Sequence, residues 1–210
     1  MLTFLMEALL ITFSGVIIPG PVTALTISKG MKSPHVGAMV ALGHGLVEIP
    51  LMMFILFGFG EILKMTVLKM IISLIGGYFL FRLSLNLMKG IKNSDSGDKP
   101  INNSRSPLAD GMMLTLVNPA YLTWIATLGS ILIMRAYTFG ISGVVIYLAS
   151  HWMMDIFWLY FLSALSFKGG QFFGQRIQKI LFAVCGIFLL FFSAKFIYDA
   201  LKMIMNCFIS

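Results

Sequence analysis

The sequence has very little charge for its length. Only 11% of its 210 residues are charged, whereas 59% are hydrophobic, and a soluble domain carries roughly 25% charge. This scarcity excludes an ordinary soluble fold, because a soluble core of this size could not bury so many apolar side chains. The excess apolar surface must face lipid, or other helices within lipid.

Cysteine and the common enzymatic motifs are also scarce. The two cysteines, Cys185 and Cys207, form no CxxC pair and have no ligand-like spacing to a histidine. We therefore expect them to be small apolar residues of a helix. The sequence contains no zinc-protease HExxH, serine elbow, phosphate loop or dinucleotide fingerprint. These absences argue against an enzyme and against a bound cofactor.

The positive net charge does not indicate nucleic-acid binding. The chain carries a net charge of +7, but its Lys and Arg residues lie singly at the ends of apolar runs and form no basic stripe. This placement is typical of membrane proteins, whose cytoplasmic loops are enriched in cations.

Six apolar runs predict an all-α integral membrane protein in which one transmembrane domain spans residues 1–210. The first run has no Lys or Arg before it and no cleavage site, so we interpret it as a retained helix rather than a signal peptide. A spanning helix needs about 20 apolar residues. The predicted spans are about 2–27, 37–60, 67–88, 108–134, 139–167 and 177–205.

The polar segment at about 89–107 is the only long linker, and its composition predicts a surface loop. Counting Lys and Arg by predicted side gives nine on the side of this linker and four on the other. The positive-inside rule then predicts a multi-pass protein of the cell membrane, with a cytoplasmic linker and with both termini outside.

The linker separates two halves that resemble each other, at about 1–90 and about 108–210. The first span of each half contains a proline break, and the second span contains a histidine followed four residues later by an acid. Three spans per half place the second half in the opposite sense across the membrane. The pattern predicts two inverted three-helix repeats, as in many secondary transporters. The residues concerned are Pro19, Gly20, Pro21, His44 and Glu48 in the first half, and Asn118, Pro119, His151 and Asp155 in the second.

The proline breaks are candidate substrate-binding elements. Pro19 and Pro21 cannot donate backbone hydrogen bonds, so the helix must unwind or kink there. A helix that restarts after Pro21 has an N-terminus that attracts a carboxylate. Asn118 and Pro119 form a weaker break, in which Asn118 can cap the restarted helix. The alternative for both breaks is a kink that only shapes packing.

The two His–acid pairs are the sharpest feature of the sequence. The i, i+4 spacing places both members of each pair on one helix face. A carboxylate at this depth in a membrane must be paired, hydrated or protonated. We therefore expect Glu48 and Asp155 to bind a cationic substrate group or a coupling proton, and His44 and His151 to tune or relay that proton. Two alternatives are a structural pair that locks helices together and a divalent-metal site formed by all four residues.

Several stretches of the chain resemble the lysine-exporter (LysE) family of small efflux transporters. Ile18-Pro19-Gly20-Pro21 resembles the Pro-Gly-Pro signature of that family, and residues 37–45 resemble its glycine-spaced second helix. Residues 75–81 resemble its Gly-x-x-Tyr-Leu third helix, and residues 110–119 resemble its Gly…Asn-Pro stretch. Ala120 departs from the lysine that commonly follows Asn-Pro in the family.

This resemblance implies six helices and ion-driven export of amino acids or similar small solutes. We expect a small-molecule substrate, a proton as the coupling ion, the lipid bilayer as surroundings, no nucleic acid and no cofactor. Glycine-rich faces are compatible with a homodimer. Members of the wider superfamily move metal ions, which keeps divalent-metal efflux as the second hypothesis. A membrane-embedded enzyme or an assembly factor is the third.

Overall fold

The computed structural model describes the backbone of residues 1–96 and 105–209, and their side chains except at 90–96, 173–178 and 207–209. Residues 97–104 of the predicted linker and the side chain of Cys207 lie outside this description. The prediction of a loop from residue 89 onward is wrong for residues 89–96, because the helix that begins at Thr66 continues to Ser96. The regular structure in the described ranges is entirely helical. Its elements are α1 (Leu2–Ile17), α2 (Pro21–Gly30), α3 (Val36–Leu56), a 3₁₀ turn (Phe59–Lys64), α4 (Thr66–Ser96), α5 (Pro107–Leu116), α6 (Pro119–Trp124), a π turn (Ile125–Gly129), α7 (Ser130–Tyr137) and α8 (Gly140–Ile209).

The helices confirm the predicted all-α membrane fold. Five helical stretches are long and apolar enough to cross a membrane, and α1 with α2 forms a sixth candidate span that bends by 68°. The five are Val36–Leu56, Thr66–Lys89, Pro119–Tyr137, Gly140–Phe172 and Lys179–Asn206. The relation between the two halves as inverted repeats stays a prediction.

Both predicted proline breaks interrupt the helix. The first break ends α1 at Ile17, and α2 begins at Pro21, whose missing N–H costs nothing at a first helical position. The second break separates α5 from α6, which begins at Pro119. There the Asn118 side chain caps the new helix by accepting a hydrogen bond from the Tyr121 N–H at 3.3 Å.

Helix α8 contains both of the last two predicted spans. A straight helix of its 70 residues would be about 105 Å long, at about 1.5 Å per residue. However, Phe192 lines the same cavity as His151 and Leu159. The element therefore folds back on itself, and we call Gly140–Phe172 its first arm and Lys179–Asn206 its second arm.

Glycines on α3 bring neighbouring helices into close contact. A Cβ atom at Gly43 would lie 2.1 Å from the Leu108 carbonyl oxygen, and one at Gly45 would lie 2.0 Å from Trp152 Nε1. Trp152 also donates a hydrogen bond of 3.0 Å to the Ala41 carbonyl. These contacts hold α3 against α5 and against the first arm of α8.

The apolar core consists of two clusters that lie on either side of the polar pairs. One cluster contains Val40 and Leu159, and the other contains Met52 and Tyr147. The His–acid pairs lie between these residues along both α3 and the first arm of α8. The fold thus places charged side chains in the middle of an apolar bundle.

Candidate functional site

The two His–acid pairs meet in the structure. His151 Nε2 lies 3.0 Å from Glu48 Oε1, and His44 Nε2 lies 3.4 Å from Glu48 Oε2. Asp155 Oδ2 lies 3.8 Å from the Nε2 of His44 and 3.7 Å from that of His151. Glu48, His151 and Asp155 are each at most 3% exposed. Residues from α3 and from the first arm of α8 therefore form one buried network of four groups.

A threonine from the other half of the chain holds each histidine. His44 Nδ1 lies 2.7 Å from Thr115 Oγ1, and His151 Nδ1 lies 2.7 Å from Thr12 Oγ1. The Thr115 hydroxyl donates its only hydrogen to the Gly111 carbonyl oxygen, at 2.7 Å. It can therefore only accept from His44, which assigns a proton to His44 Nδ1. Proton exchange at His44 is thereby confined to Nε2, the nitrogen that faces both carboxylates.

Two aromatic side chains of α6 pack against the histidine rings. Tyr121 meets the His44 ring edge-on at 5.0 Å, and its hydroxyl donates a 3.0 Å hydrogen bond to Glu48 Oε1. Trp124 stacks on His151 at 5.7 Å. These contacts fix the ring planes, so that both Nε2 atoms point toward the carboxylates.

Two carboxylate oxygens in the network lack a hydrogen bond. Glu48 Oε2 and Asp155 Oδ2 are buried and have no hydrogen-bond partner among the described residues. Leaving a buried charged acceptor without a partner is costly, and such atoms in native proteins usually have a reason. The network can therefore accept a further proton, a cationic group or a metal ion.

The network lines a cavity of about 290 Å³ that also reaches both helix breaks. Eight of the nine sequence-predicted site residues line this cavity, and Pro119 is the exception. The eight are Pro19, Gly20, Pro21, His44, Glu48, Asn118, His151 and Asp155. Residues that are distant in sequence thus surround one space near the middle of the bundle.

The two helix N-termini at the cavity differ in their caps. The Asn118 side chain caps α6, whereas no side chain caps α2 at Gly20. Val22 and Thr23 follow Pro21 and also line the cavity. Their N–H groups belong to the first turn of α2, where a helix has no internal acceptors for its donors. The start of α2 therefore offers free donors and a positive helix dipole to an anion.

A second buried ion pair joins the end of α2 to the start of α5, on the side of the bundle that adjoins the predicted linker. Lys29 at the end of α2 pairs with Asp110 of α5, and its Nζ also donates a 3.0 Å hydrogen bond to the Arg105 carbonyl. Lys29 is 9% exposed and Asp110 is 3% exposed. In the turn that follows, burial and the nearby Lys29 cation lower the pKa of Lys32. This pair connects the two helices that adjoin the breaks.

Sequence reasoning missed several members of these networks. The cavity lining includes Thr12, Tyr121 and Trp124. Thr115 contacts the His44 ring. Single hydroxyl and aromatic residues are common in membrane helices, so nothing in their spacing singles them out. Nor does the sequence pair Lys29 with Asp110, because 81 residues separate them.

Comparison with known proteins supplies an independent line of argument. The sequence model of the LysE type translocator family matches residues 13–200, which include both helix breaks and the four His–acid residues of the buried network. Neither a curated protein nor a solved structure matches the chain significantly. Since the family match covers most of the sequence, the chain belongs to the LysE type translocator family.

Proposed function

We propose that this protein exports a zwitterionic amino acid in exchange for protons, with its substrate bound in the 290 Å³ cavity. Family membership implies transport of small solutes across a membrane, and the proposal adds a substrate class and a coupling ion. The observation that carries it is the presence in one cavity of two unsatisfied carboxylate oxygens and an uncapped helix N-terminus.

The start of α2 is the proposed site for the carboxylate of the substrate. The Val22 and Thr23 N–H groups lie at an N-terminus that no side chain caps. An anion at such a position is stabilised by the donors and by the helix dipole. Asn118 caps α6. It lies at the break between α5 and α6 and lines the same cavity.

Glu48 and Asp155 are the proposed site for the substrate ammonium group. An ammonium carries three donors, and Glu48 Oε2 and Asp155 Oδ2 are two buried acceptors that have no hydrogen bond within the described part of the chain. A bound ammonium would hydrogen-bond both oxygens. Together with the α2 N-terminus, this arrangement recognises both charged ends of a zwitterion.

His44 and His151 are the proposed proton carriers. Histidine titrates near neutral pH, and both Nε2 atoms lie within 3.8 Å of a carboxylate oxygen. A proton and an ammonium group would compete for the same carboxylates. Such competition couples substrate release to proton uptake, as alternating access requires.

The distribution of cations supports an orientation in the cell membrane with the 89–107 linker in the cytoplasm and both termini outside. A homodimer stays a prediction from the glycine-rich helix faces.

Counterflow of labelled amino acids in proteoliposomes tests the proposal. We expect wild-type protein to exchange at least one neutral amino acid and to respond to a pH gradient. Glu48→Gln and Asp155→Asn should abolish exchange, because each removes a charged acceptor while keeping the side-chain volume. Lys64→Gln is the matched control, because its ion pair with Glu61 is exposed and lies outside the cavity. Exchange that survives in both carboxylate variants would refute the assignment.

A divalent cation is the second candidate substrate. Ligand atoms of His44, Glu48 and Asp155 lie within 4.8 Å of one another. Zinc ligands about 2.0–2.1 Å from the ion are separated by about 3.4 Å, close to the distances of 3.4 and 3.8 Å from His44 Nε2 to the two carboxylates. A melting screen with amino acids and Zn²⁺ separates the candidates. His44→Gln should abolish stabilisation by Zn²⁺ but leave stabilisation by an amino acid largely intact.

A further inference from the structure

A second cavity lies apart from the cavity of the His–acid network. It has a volume of about 370 Å³ and is formed by α4 together with the start of α5. Its polar lining consists of Tyr78, Arg82 and Asn86 from α4, with Arg105 and Asp110 from the other side. None of these residues lines the cavity of the His–acid network.

The charge of this second cavity is positive. Among the described residues, neither the Arg82 nor the Arg105 guanidinium pairs with a carboxylate. Asp110 is the only acid among the described residues of the lining, and its carboxylate is neutralised by Lys29. The Arg105 guanidinium lies over the Phe79 ring at 5.3 Å, which holds it beside α4. The lining therefore presents two cations without an anionic partner in the described chain.

The donors of this cavity suit a tetrahedral oxyanion. Guanidinium groups bind phosphate oxygens through two parallel hydrogen bonds. The Asn86 amide and the Tyr78 hydroxyl add neutral donors to the same lining. Two guanidiniums and two neutral donors match the several acceptor oxygens of a phosphate group better than they match a carboxylate.

The position of the cavity along α4 favours a phosphate that is attached to lipid. Arg82 lies two turns before the end of the candidate span Thr66–Lys89. The preceding turns of α4 expose apolar side chains, including Leu74, Ile75 and Phe81. An acyl chain could lie along these residues while its headgroup enters the cavity. Basic pockets at this depth between helices are typical sites for anionic lipid headgroups.

We propose that the cavity between α4 and α5 is a phosphate-binding site for the headgroup of an anionic phospholipid. The proposal is independent of the transported substrate. The bound phosphate lies beside Asp110 of α5 and contacts Arg82 of α4, so the lipid stabilises the packing of α5 against α4.

Thermal unfolding of the full chain in a neutral detergent tests this site. The probes are short-chain phosphatidylglycerol, short-chain phosphatidylcholine and inorganic phosphate. We expect phosphatidylglycerol to raise the Tm saturably by several degrees, and phosphatidylcholine to raise it far less. The double variant R82Q/R105Q should lose the difference between the two lipids. The control K195Q/K202Q removes the same charge from exposed positions on the second arm of α8 and should keep it.

The three probes also distinguish the sources of the phosphate. A saturable shift with inorganic phosphate that disappears in R82Q/R105Q supports the phosphate site and assigns it to a soluble anion rather than to a lipid. Equal responses of R82Q/R105Q and K195Q/K202Q to every probe would overturn the proposal. Arg82→Lys and Arg105→Lys, which keep the charge, should retain part of the shift. A cooperative unfolding transition of R82Q/R105Q without added lipid shows that this variant folds.

Discussion

The Lys29–Asp110 pair allows a quantitative test of the packing between α2 and α5. Lys29→Met removes the cation and leaves the Asp110 carboxylate, which is 3% exposed, without its partner. Removing one partner of a buried ion pair costs about 3–5 kcal/mol. Solvent screening reduces this cost little here, because Lys29 itself is only 9% exposed. We therefore expect Lys29→Met to destabilise the protein by about 3–5 kcal/mol.

The double variant K29M/D110N separates loss of the pair from loss of packing. It leaves a buried neutral amide instead of a buried charge, and an unsatisfied neutral group costs about 1–3 kcal/mol. The double variant should thus be more stable than Lys29→Met alone by roughly 2 kcal/mol.

Equilibrium unfolding in mixed micelles, followed by tryptophan fluorescence, measures these differences. As a control, Lys64→Met removes a partner of the exposed Glu61 and should cost less than about 1 kcal/mol. The reasoning fails if K29M/D110N is no more stable than Lys29→Met, because the carboxylate would then not be the source of the cost.

Two further predictions concern the supports of the buried network. Gly45→Ala should lower stability by about 1–3 kcal/mol, because the new Cβ would lie 2.0 Å from Trp152 Nε1. Gly169→Ala serves as the control in the same unfolding assay, because among the described residues no atom beyond its own helical backbone would lie within 4 Å of its Cβ. Thr115→Val leaves His44 Nδ1 without its acceptor, so proteoliposome exchange should fall several-fold and Thr115→Ser should restore it. Wild-type exchange rates in Thr115→Val would contradict the assigned role of this hydroxyl.

Some properties of this protein follow from local sequence alone. The number of apolar runs determines the number of spans, because each crossing needs a fixed length of apolar helix. Pro19, Pro21 and Pro119 mark where helices stop and restart, since a proline inside a helix removes a backbone hydrogen bond and its ring clashes with the preceding turn. A single proline does not always end a helix, because Pro50 lies inside α3. The i, i+4 spacing likewise places His44 and Glu48 on one helix face before any tertiary contact forms.

Tertiary structure alone decided that the two pairs share one site. Convergence depends on how α3 and the first arm of α8 rotate about their axes, and close contacts such as Gly45 against Trp152 set that rotation. Tertiary structure also pairs Thr12 with His151 and Thr115 with His44, across 139 and 71 residues of sequence. An isolated threonine in an apolar run has no pattern of its own. Only packing brings its hydroxyl to an imidazole, because a buried polar group must find a partner wherever the fold supplies one.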